Sequence, residues 1–286
     1  MNISGHTKPY AVLGHPIGHT LSPIMHNAAF AALRMDAVYI ALDVAPERLI
    51  NVLESMKYMG FGGINLTVPL KEIAFKGLPR LDDSAKLLGA VNTVRIRADG
   101  LTGFNTDGYG FVKAIEEAFG FNLKGASLFV AGTGGAGRAV ALTAAQAGAA
   151  KIVMTDVDRA RSENVGREIA KRFPNIAVTV VSNRNDQIAA AHEAALVVQA
   201  TPVGMKKEDP PVLPPEAFRP GQFAFDLIYM FSETAFMKSA KAAGAKAANG
   251  LGMLLHQGAR AFGIWTEKPP PIDVMRAALE RAVYTV

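Results

Sequence analysis

Glycine supplies the first chemistry legible in this chain. The run Ser127-Leu-Phe-Val-Ala-Gly-Thr-Gly-Gly-Ala-Gly-Arg138 passes from an apolar strand pattern through Gly132, Gly134, Gly135, Ala136 and Gly137 into an Ala-rich helical pattern. Glycines here let the backbone turn tightly and approach a pyrophosphate, while a helix opening near Gly135 aims free N–H groups and its positive dipole end at that charge. Asp156 follows Gly132 by roughly 20 residues or a little more, the spacing at which an acidic side chain meets a ribose 2′-hydroxyl. Strand, loop, helix and acidic residue together predict a dinucleotide site rather than a plain strand-turn-helix corner.

A second set of polar residues lies earlier. Ser22 precedes Pro23 and reads as an N-cap with proline at the first helical position, which would hold the Thr20 and Ser22 hydroxyls beside free N–H groups, a place for a carboxylate. A simple cap would leave the same pattern. Asn65, Thr67 and Lys71 stand at the carboxyl end of the strand pattern Gly63–Val68, where open α/β sheets gather catalytic groups, although Lys71 taken alone reads first as a solvated lysine at a helix start. Thr106 or Asp107 could cap the helix expected from about Gly108 to Phe119. Thr201 and Val203, in Thr201-Pro-Val-Gly-Met205, end another strand, where a nicotinamide ring could lie. His15, His19 and His26 have neither an acidic partner nor tight ligand spacing in the sequence, so no metal site is expected.

These groups must be positioned by an alternation of strands and helices. Tyr10–Gly14, Ala37–Leu42 and Gly63–Val68, with a helix at Pro46–Met59, predict a first α/β unit with parallel strands, followed by a capped helix at Asp82–Gly89, a strand at Ala90–Ile96 and a tight segment at Leu101–Asp107. From Ser127, strands at Leu128–Ala131, Lys151–Thr155, Ala177–Val181, Leu196–Ala200 and Gln222–Leu227, with helices at Arg138–Ala147 and Arg159–Phe173, predict a doubly wound unit. Lys206–Pro215, rich in proline and charge, reads as a surface loop. Helices at Leu251–Trp265 and Ile272–Val283 add no strand, so they are expected to pack back on the first domain and to bring Gln257 to the site. The predicted fold class is α/β in two domains. Residues 1–106 with 249–286 are expected to form an N-terminal domain, and 107–248 a Rossmann-like doubly wound domain binding NAD(P).

Composition narrows the partners. At 286 residues and 50% hydrophobic the chain has enough apolar content for two cores. The absence of cysteine excludes disulfides, Cys-ligated zinc and thiolate catalysis, and fits a cytoplasmic setting. A formal charge of +5 comes from scattered Lys and Arg without an aromatic-interleaved stripe, which argues against nucleic acid and suits small anionic ligands. Neither a signal peptide nor an apolar run of about 18 residues is evident, so neither export nor a membrane span is expected. Monomer and homodimer are both compatible with the sequence.

Several separated segments resemble the shikimate dehydrogenase family, including its quinate/shikimate branch. They are Gly14-His-Pro-Ile-Gly-His-Thr-Leu-Ser-Pro23, Asn65-Leu-Thr-Val-Pro-Leu-Lys71, Gly89-Ala-Val-Asn-Thr93, Gly103-Phe-Asn-Thr-Asp107, the glycine loop and Gly250-Leu-Gly-Met-Leu-Leu-His-Gln257, spread in order over about residues 10–266. The resemblance implies that Lys71 and Asp107 form the catalytic pair, that Thr20, Ser22, Asn65, Thr67, Asn92 and Gln257 hold the substrate with Tyr229 near it, that the N-terminal domain is the substrate domain, and that the substrate lies in a cleft beside the dinucleotide. Gly250 joins the cofactor residues on the same ground. Oxidising a ring alcohol needs an acceptor for its proton and a cation to steady the oxyanion, while hydride passes to the nicotinamide. An ammonium beside a carboxylate is a poorer free base, so the pair is expected to act as a unit.

The chain departs from the family pattern at two places. The carboxylate clamp is usually two serines separated by one residue, and here the first is Thr20, which leaves shikimate, quinate or a relative open as substrate. NADP-using members typically carry Asn-Arg-Thr after the second nucleotide-domain strand, where this chain has Asp156-Val157-Asp158. An acidic residue there accepts from the ribose and repels a 2′-phosphate, so NAD is expected to be preferred, with NADP as the alternative through Arg159 and Arg161. The resemblance thus implies an enzyme interconverting shikimate and 3-dehydroshikimate, with quinate dehydrogenation as the nearest rival and a non-catalytic ligand sensor as a rival of another class. A reductase resembling glutamyl-tRNA reductase is excluded by the missing cysteine.

Overall fold

In a computed structural model of the chain, residues 3–18 and 20–284 are described. Its strands are β1 (Lys8–Gly14), β2 (Ala37–Asp43), β3 (Gly63–Leu66), β4 (Thr93–Arg97), β5 (Gly100–Phe104), β6 (Ser127–Ala131), β7 (Lys151–Thr155), β8 (Ala177–Val180), β9 (Leu196–Gln199), β10 (Phe223–Asp226) and β11 (Lys246–Ala248). Its helices are α1 (Ser22–Ala32), α2 (Leu49–Tyr58), α3 (Leu70–Gly77), α4 (Asp83–Leu88), α5 (Asp107–Phe119), α6 (Gly135–Gln146), α7 (Arg159–Arg172), α8 (Arg184–Glu193), α9 (Ala235–Ala242), α10 (Leu251–Thr266) and α11 (Ile272–Tyr284). The chain divides into two units, Met1–Gly110 with Leu254–Val286 and Phe111–Met253. Asp107 therefore falls with the first unit and Gly250 with the second, a few residues from the divisions expected at 106 and 248.

The first unit is built on a sheet in the order β2-β1-β3-β4-β5. β1 pairs parallel with β2 and β3, while β4 and β5 are antiparallel. The segment read as a tight connection at Leu101–Asp107 is mostly strand β5, because Arg97 pairs with Gly100 and leaves only Ala98-Asp99 as the hairpin loop. Period-two alternation separates the two faces. Ala11, Leu13, Ile64, Leu66, Val94 and Ile96 turn to one side and join Leu49, Leu53 and Met56 in a buried cluster. On the other side, Tyr10, Tyr39, Phe30, His26, Phe262 and Trp265 pack ring against ring. Trp265 is 1% exposed and its indole N–H donates to the Val94 carbonyl, so α10 is anchored to the sheet by both packing and a hydrogen bond.

The second unit is a six-stranded parallel sheet in the order β11-β10-β9-β6-β7-β8. Runs such as Leu128-Phe-Val-Ala131 and Leu196-Val-Val198 are buried along their length rather than alternately, as expected for strands covered on both faces. The strand β11 and helices α8 and α9 complete the winding and were not anticipated. They are short, and α8 in particular has no apolar stripe to announce it. Strand order reverses between β6 and its neighbours β7 and β9, so the loop after β6 opens at the switch point where such sheets bind ligands. Among the described residues, no helix is long and apolar enough to cross a membrane.

Candidate active site

Lys71 and Asp107 are brought together although far apart in sequence. β3 ends at Leu66, the chain turns through Thr67-Val-Pro69, and Lys71 leaves the first turn of α3; Asp107 opens α5 shortly after β5. Lys71 Nζ donates to Asp107 Oδ2 at 2.7 Å, with the side chains 29% and 14% exposed. Thr106 stands at the N-cap position of α5, its carbonyl accepting the Gly110 N–H at 2.9 Å, while the Asn105 side-chain oxygen accepts the Asp107 N–H at 2.9 Å. That leaves the Asp107 carboxylate available to the lysine.

Asn92 orients the carboxylate. Its Oδ1 accepts the Thr106 N–H at 2.8 Å, which identifies the other terminus as the amide nitrogen. That Nδ2 donates to Asp107 Oδ1 at 2.8 Å, to Thr106 Oγ1 at 2.9 Å and more weakly to Gln257 Oε1 at 3.3 Å. Gln257 gives one amide hydrogen to the Leu254 carbonyl, which leaves the second available. Asn65 is equally committed. Its Nδ2 donates to the Asn92 carbonyl and to Thr93 Oγ1, and its Oδ1 accepts from Tyr39, so only an oxygen lone pair remains for a ligand. The first unit thus gathers a cation, a carboxylate, one acceptor and one donor, a set suited to a polyhydroxylated molecule and to movement of a proton.

Ser22 is not the N-cap of α1. Leu21 holds that place without a side-chain cap, and Ser22 is the first helical residue, its N–H bonding to Thr20 Oγ1 at 3.3 Å. The Ser22 side chain instead faces the Tyr39 phenol, whose pKa is pushed well above the usual tyrosine value by burial and drawn back by Ser22. Thr67 is pinned through its N–H to the Leu13 carbonyl at 2.9 Å, beside Gly14 at the end of β1. Tyr229 belongs to the second unit, in the segment after β10.

The glycine loop forms a backbone cradle. Gly132 has φ +91°, and a Cβ added at Gly137 would run into the Gly132 carbonyl oxygen, so strand end and helix start approach as only glycine permits. Gly134 is the N-cap of α6, and Gly135 and Ala136 are exposed at its first turn, which suits an anionic group at the helix start. Gly137→Ala is expected to weaken dinucleotide binding by on the order of tenfold or more, read as quenching of nicotinamide fluorescence on titration, with the circular dichroism spectrum retained. Thr201 and Val203 lie in the turn after β9, which the buried Gln199 holds by accepting the Thr201 N–H and donating to the Val203 carbonyl at 2.7 Å. Gly250 N–H bonds to the Ile228 carbonyl at 3.1 Å after β11.

Asp156, at the end of β7, is tied to this loop. Its Oδ2 accepts the Thr133 N–H at 2.6 Å and the Thr133 hydroxyl at 3.1 Å, and its Oδ1 accepts the Asp158 N–H at 3.0 Å. Burial pushes its pKa up, but these hydrogen bonds and Arg161 prevail and hold it below the usual carboxylate value. Val157 projects fully into solvent. Arg161 lies 3.8 Å from Asp156 and 3.7 Å from Asp158, whose side chain also caps α7, and Arg159 bonds Glu163 at 2.7 Å. Both nearby arginines are thus already facing carboxylates.

Two regions of the chain match the family models described as the shikimate dehydrogenase substrate binding domain, over residues 12–94, and the shikimate 5′-dehydrogenase C-terminal domain, over residues 250–280. A curated relative from Moorella thermoacetica, named shikimate dehydrogenase (NADP(+)), is 41% identical over 99% of this chain and 96% of its own. The chain belongs to the shikimate dehydrogenase family. It is an oxidoreductase of that type, acting on a CH–OH group. Within the family, the solved structure of the Listeria monocytogenes shikimate 5-dehydrogenase in complex with shikimate and NAD has a TM-score of 0.91 at 34% identity, covering 98% of both chains. Quinate dehydrogenase from Corynebacterium glutamicum in complex with NAD has a TM-score of 0.87 at 32% identity, covering 95% of this chain and 98% of its own.

Some participants were not legible as such. Tyr39, Thr93, Thr133, Ser162 and Gln199 resemble ordinary core or loop residues in sequence, and only register reveals what they hold. His15 has an acidic partner after all, since its Nδ1 lies 2.5 Å from Asp43 Oδ1 across the β1–β2 pair. His26 is buried among aromatic rings, and His19 lies outside the described residues. Among the described residues, no group of three or more His, Cys, Asp or Glu could hold a metal ion.

Proposed function

We propose that this chain interconverts shikimate and 3-dehydroshikimate by hydride transfer and prefers NAD, with the first unit binding substrate and the second binding the dinucleotide. The Lys71–Asp107 pair, oriented by Asn92 and only partly exposed, is the observation that carries the reading. The alcohol gives its hydroxyl proton to this pair as its carbon gives up hydride, and the ammonium steadies the oxygen while negative charge develops. A bound nicotinamide supplies the hydride acceptor. Thr20, Ser22, Asn65, Thr67, Asn92, Gln257 and Tyr229 are the proposed substrate residues, and the glycine loop with Asp156, Asp158, Arg161, Thr201, Val203 and Gly250 is the proposed cofactor site.

Preference for NAD is supported by Asp156 beside the phosphate loop, by Val157 in place of an arginine and by the compensated charges of Arg159 and Arg161. A 2′-phosphate would bring a charge of about −2 to that carboxylate without an unengaged arginine to receive it. The M. thermoacetica relative is named for NADP(+), whereas the L. monocytogenes structure holds NAD. Shikimate and quinate assayed against NAD and NADP test both halves of the reading. With shikimate, kcat/KM is expected to be on the order of tenfold or more higher for NAD than for NADP, and equal values overturn the preference. Greater kcat/KM for quinate would favour the quinate reading, which the extra methyl of Thr20 at the clamp and the C. glutamicum structure support. Absence of nicotinamide reduction with either alcohol would favour a sensor.

A further inference from the structure

We propose that the hydroxyls of Tyr39 and Thr93 are positioning groups of the substrate site, fixing the orientations of Asn65 and Asn92. The inference rests on the dehydrogenase reading of that site. Tyr39 is 1% exposed and Thr93 is fully buried, so both act through the residues they hold rather than on the substrate.

The strand register puts these groups side by side. Tyr39 stands opposite Tyr10, Val12 opposite Asn65 and Asn65 opposite Thr93, all on the face bearing the aromatic cluster. The Tyr39 ring stacks on His26 with centroids 4.4 Å apart and planes inclined by 18°, which aims the phenol along the sheet at Asn65. Tyr39 Oη and Asn65 Oδ1 are 2.7 Å apart.

The direction of each hydrogen bond follows from groups that can play only one part. The Asn92 carbonyl can only accept, so Asn65 turns Nδ2 toward it and Oδ1 toward Tyr39, which must donate. Thr93 Oγ1 accepts from Asn65 Nδ2 at 3.1 Å and donates to Asn92 Oδ1 at 2.9 Å. Asn92 Nδ2 donates to Asp107, which also accepts from Lys71. Donation therefore runs one way, from Tyr39 through Asn65, Thr93 and Asn92 to the Asp107 carboxylate, and each bond polarises the next. Without the phenol hydroxyl, Asn65 Oδ1 loses its donor and the amide is held on its Nδ2 side alone, so its acceptor is less firmly placed for a substrate hydroxyl. Without the Thr93 hydroxyl, the link between the two amides is broken.

The test uses Tyr39→Phe, which keeps the stacked ring, and the pair Thr93→Val and Thr93→Ser, of which only serine keeps the hydroxyl. Shikimate affinity is measured calorimetrically without dinucleotide, and KM and kcat are measured with NAD. Tyr39→Phe and Thr93→Val are expected to raise Kd and KM for shikimate about tenfold, the worth of one lost hydrogen bond, with a smaller fall in kcat and an unchanged KM for NAD. Thr93→Ser is expected to restore wild-type values. In an Asn65→Ala background, Tyr39→Phe should add a smaller loss than in the wild type, confined to its contact with Ser22, because it acts chiefly through that amide. Kd within twofold of wild type in Tyr39→Phe, or the same loss with and without Asn65, overturns the inference while leaving the dehydrogenase reading intact. Wild-type protein that neither binds nor oxidises shikimate overturns both. If Thr93→Val does not fold, Tyr39→Phe and the Asn65 cycle decide alone.

Discussion

Lys71→Ala is expected to lower kcat for shikimate oxidation by on the order of 10² or more, with a smaller change in KM. The ammonium is the only cation hydrogen-bonded to Asp107 among the described residues, and alanine removes both the group that steadies a developing oxyanion and half of the pair that takes the proton. The other proposed substrate contacts remain, since Asn92 still reaches Asp107 and Gln257 keeps its bond to Leu254. The loss should therefore fall on the transition state more than on ground-state binding. Steady-state rates at saturating NAD, together with calorimetric shikimate binding, separate the two. Near-normal turnover in the variant would sink the assignment of Lys71.

His26→Phe is expected to make the first unit markedly more resistant to acid. His26 is buried and, among the described residues, neither ring nitrogen has a hydrogen-bond partner; burial lowers its pKa to about 3. The unfolded chain, with an ordinary value near 6.5, takes up a proton that the folded state refuses. The group's full contribution to stability is present above about pH 6.5 and is lost progressively as pH falls toward 3. At pH 4.5 the loss amounts to roughly 3 kcal/mol, from about two pH units at roughly 1.4 kcal/mol each. Phenylalanine preserves the stack on Tyr39 and has nothing to protonate, and at pH 7 it should be neutral or mildly stabilising because two unpaired buried nitrogens disappear. Denaturant unfolding at pH 7 and 4.5 can be followed by Trp265, the sole tryptophan, whose ring lies 5.3 Å from that of His26. Parallel loss of stability in variant and wild type would refute this account.

The second unit could be read largely from local pattern. A parallel strand covered on both faces is a short apolar run, and a phosphate loop is a glycine arrangement with little tolerance for side chains, so Leu128–Gly137 announces both. The antiparallel strand β5 was less legible because its residues include two glycines, and its pairing with β4 depends on a two-residue turn. Ser22 was misread as a cap for a related reason. Serine before proline is a strong local signal, but Leu21 adopts helical dihedrals and the serine side chain faces a tyrosine on another strand.

In the site, residue types and the order of motifs were determined by the sequence itself. The glycine loop and Asp156 were legible from residue type and spacing alone, whereas Lys71 and Asp107, which singly read as a solvated lysine and a helix cap, were singled out only by the ordered motifs that resemble the family. What only the tertiary structure decided is who holds whom. Lys71 reaches Asp107 across 36 positions, Asn92 presents its nitrogen to that carboxylate, Thr133 secures Asp156, and the Tyr39 hydroxyl reaches Asn65 across 26. Those pairings depend on strand register, which a chain settles by burying its alternate side chains against the rest of the molecule, and no single stretch of sequence contains that information.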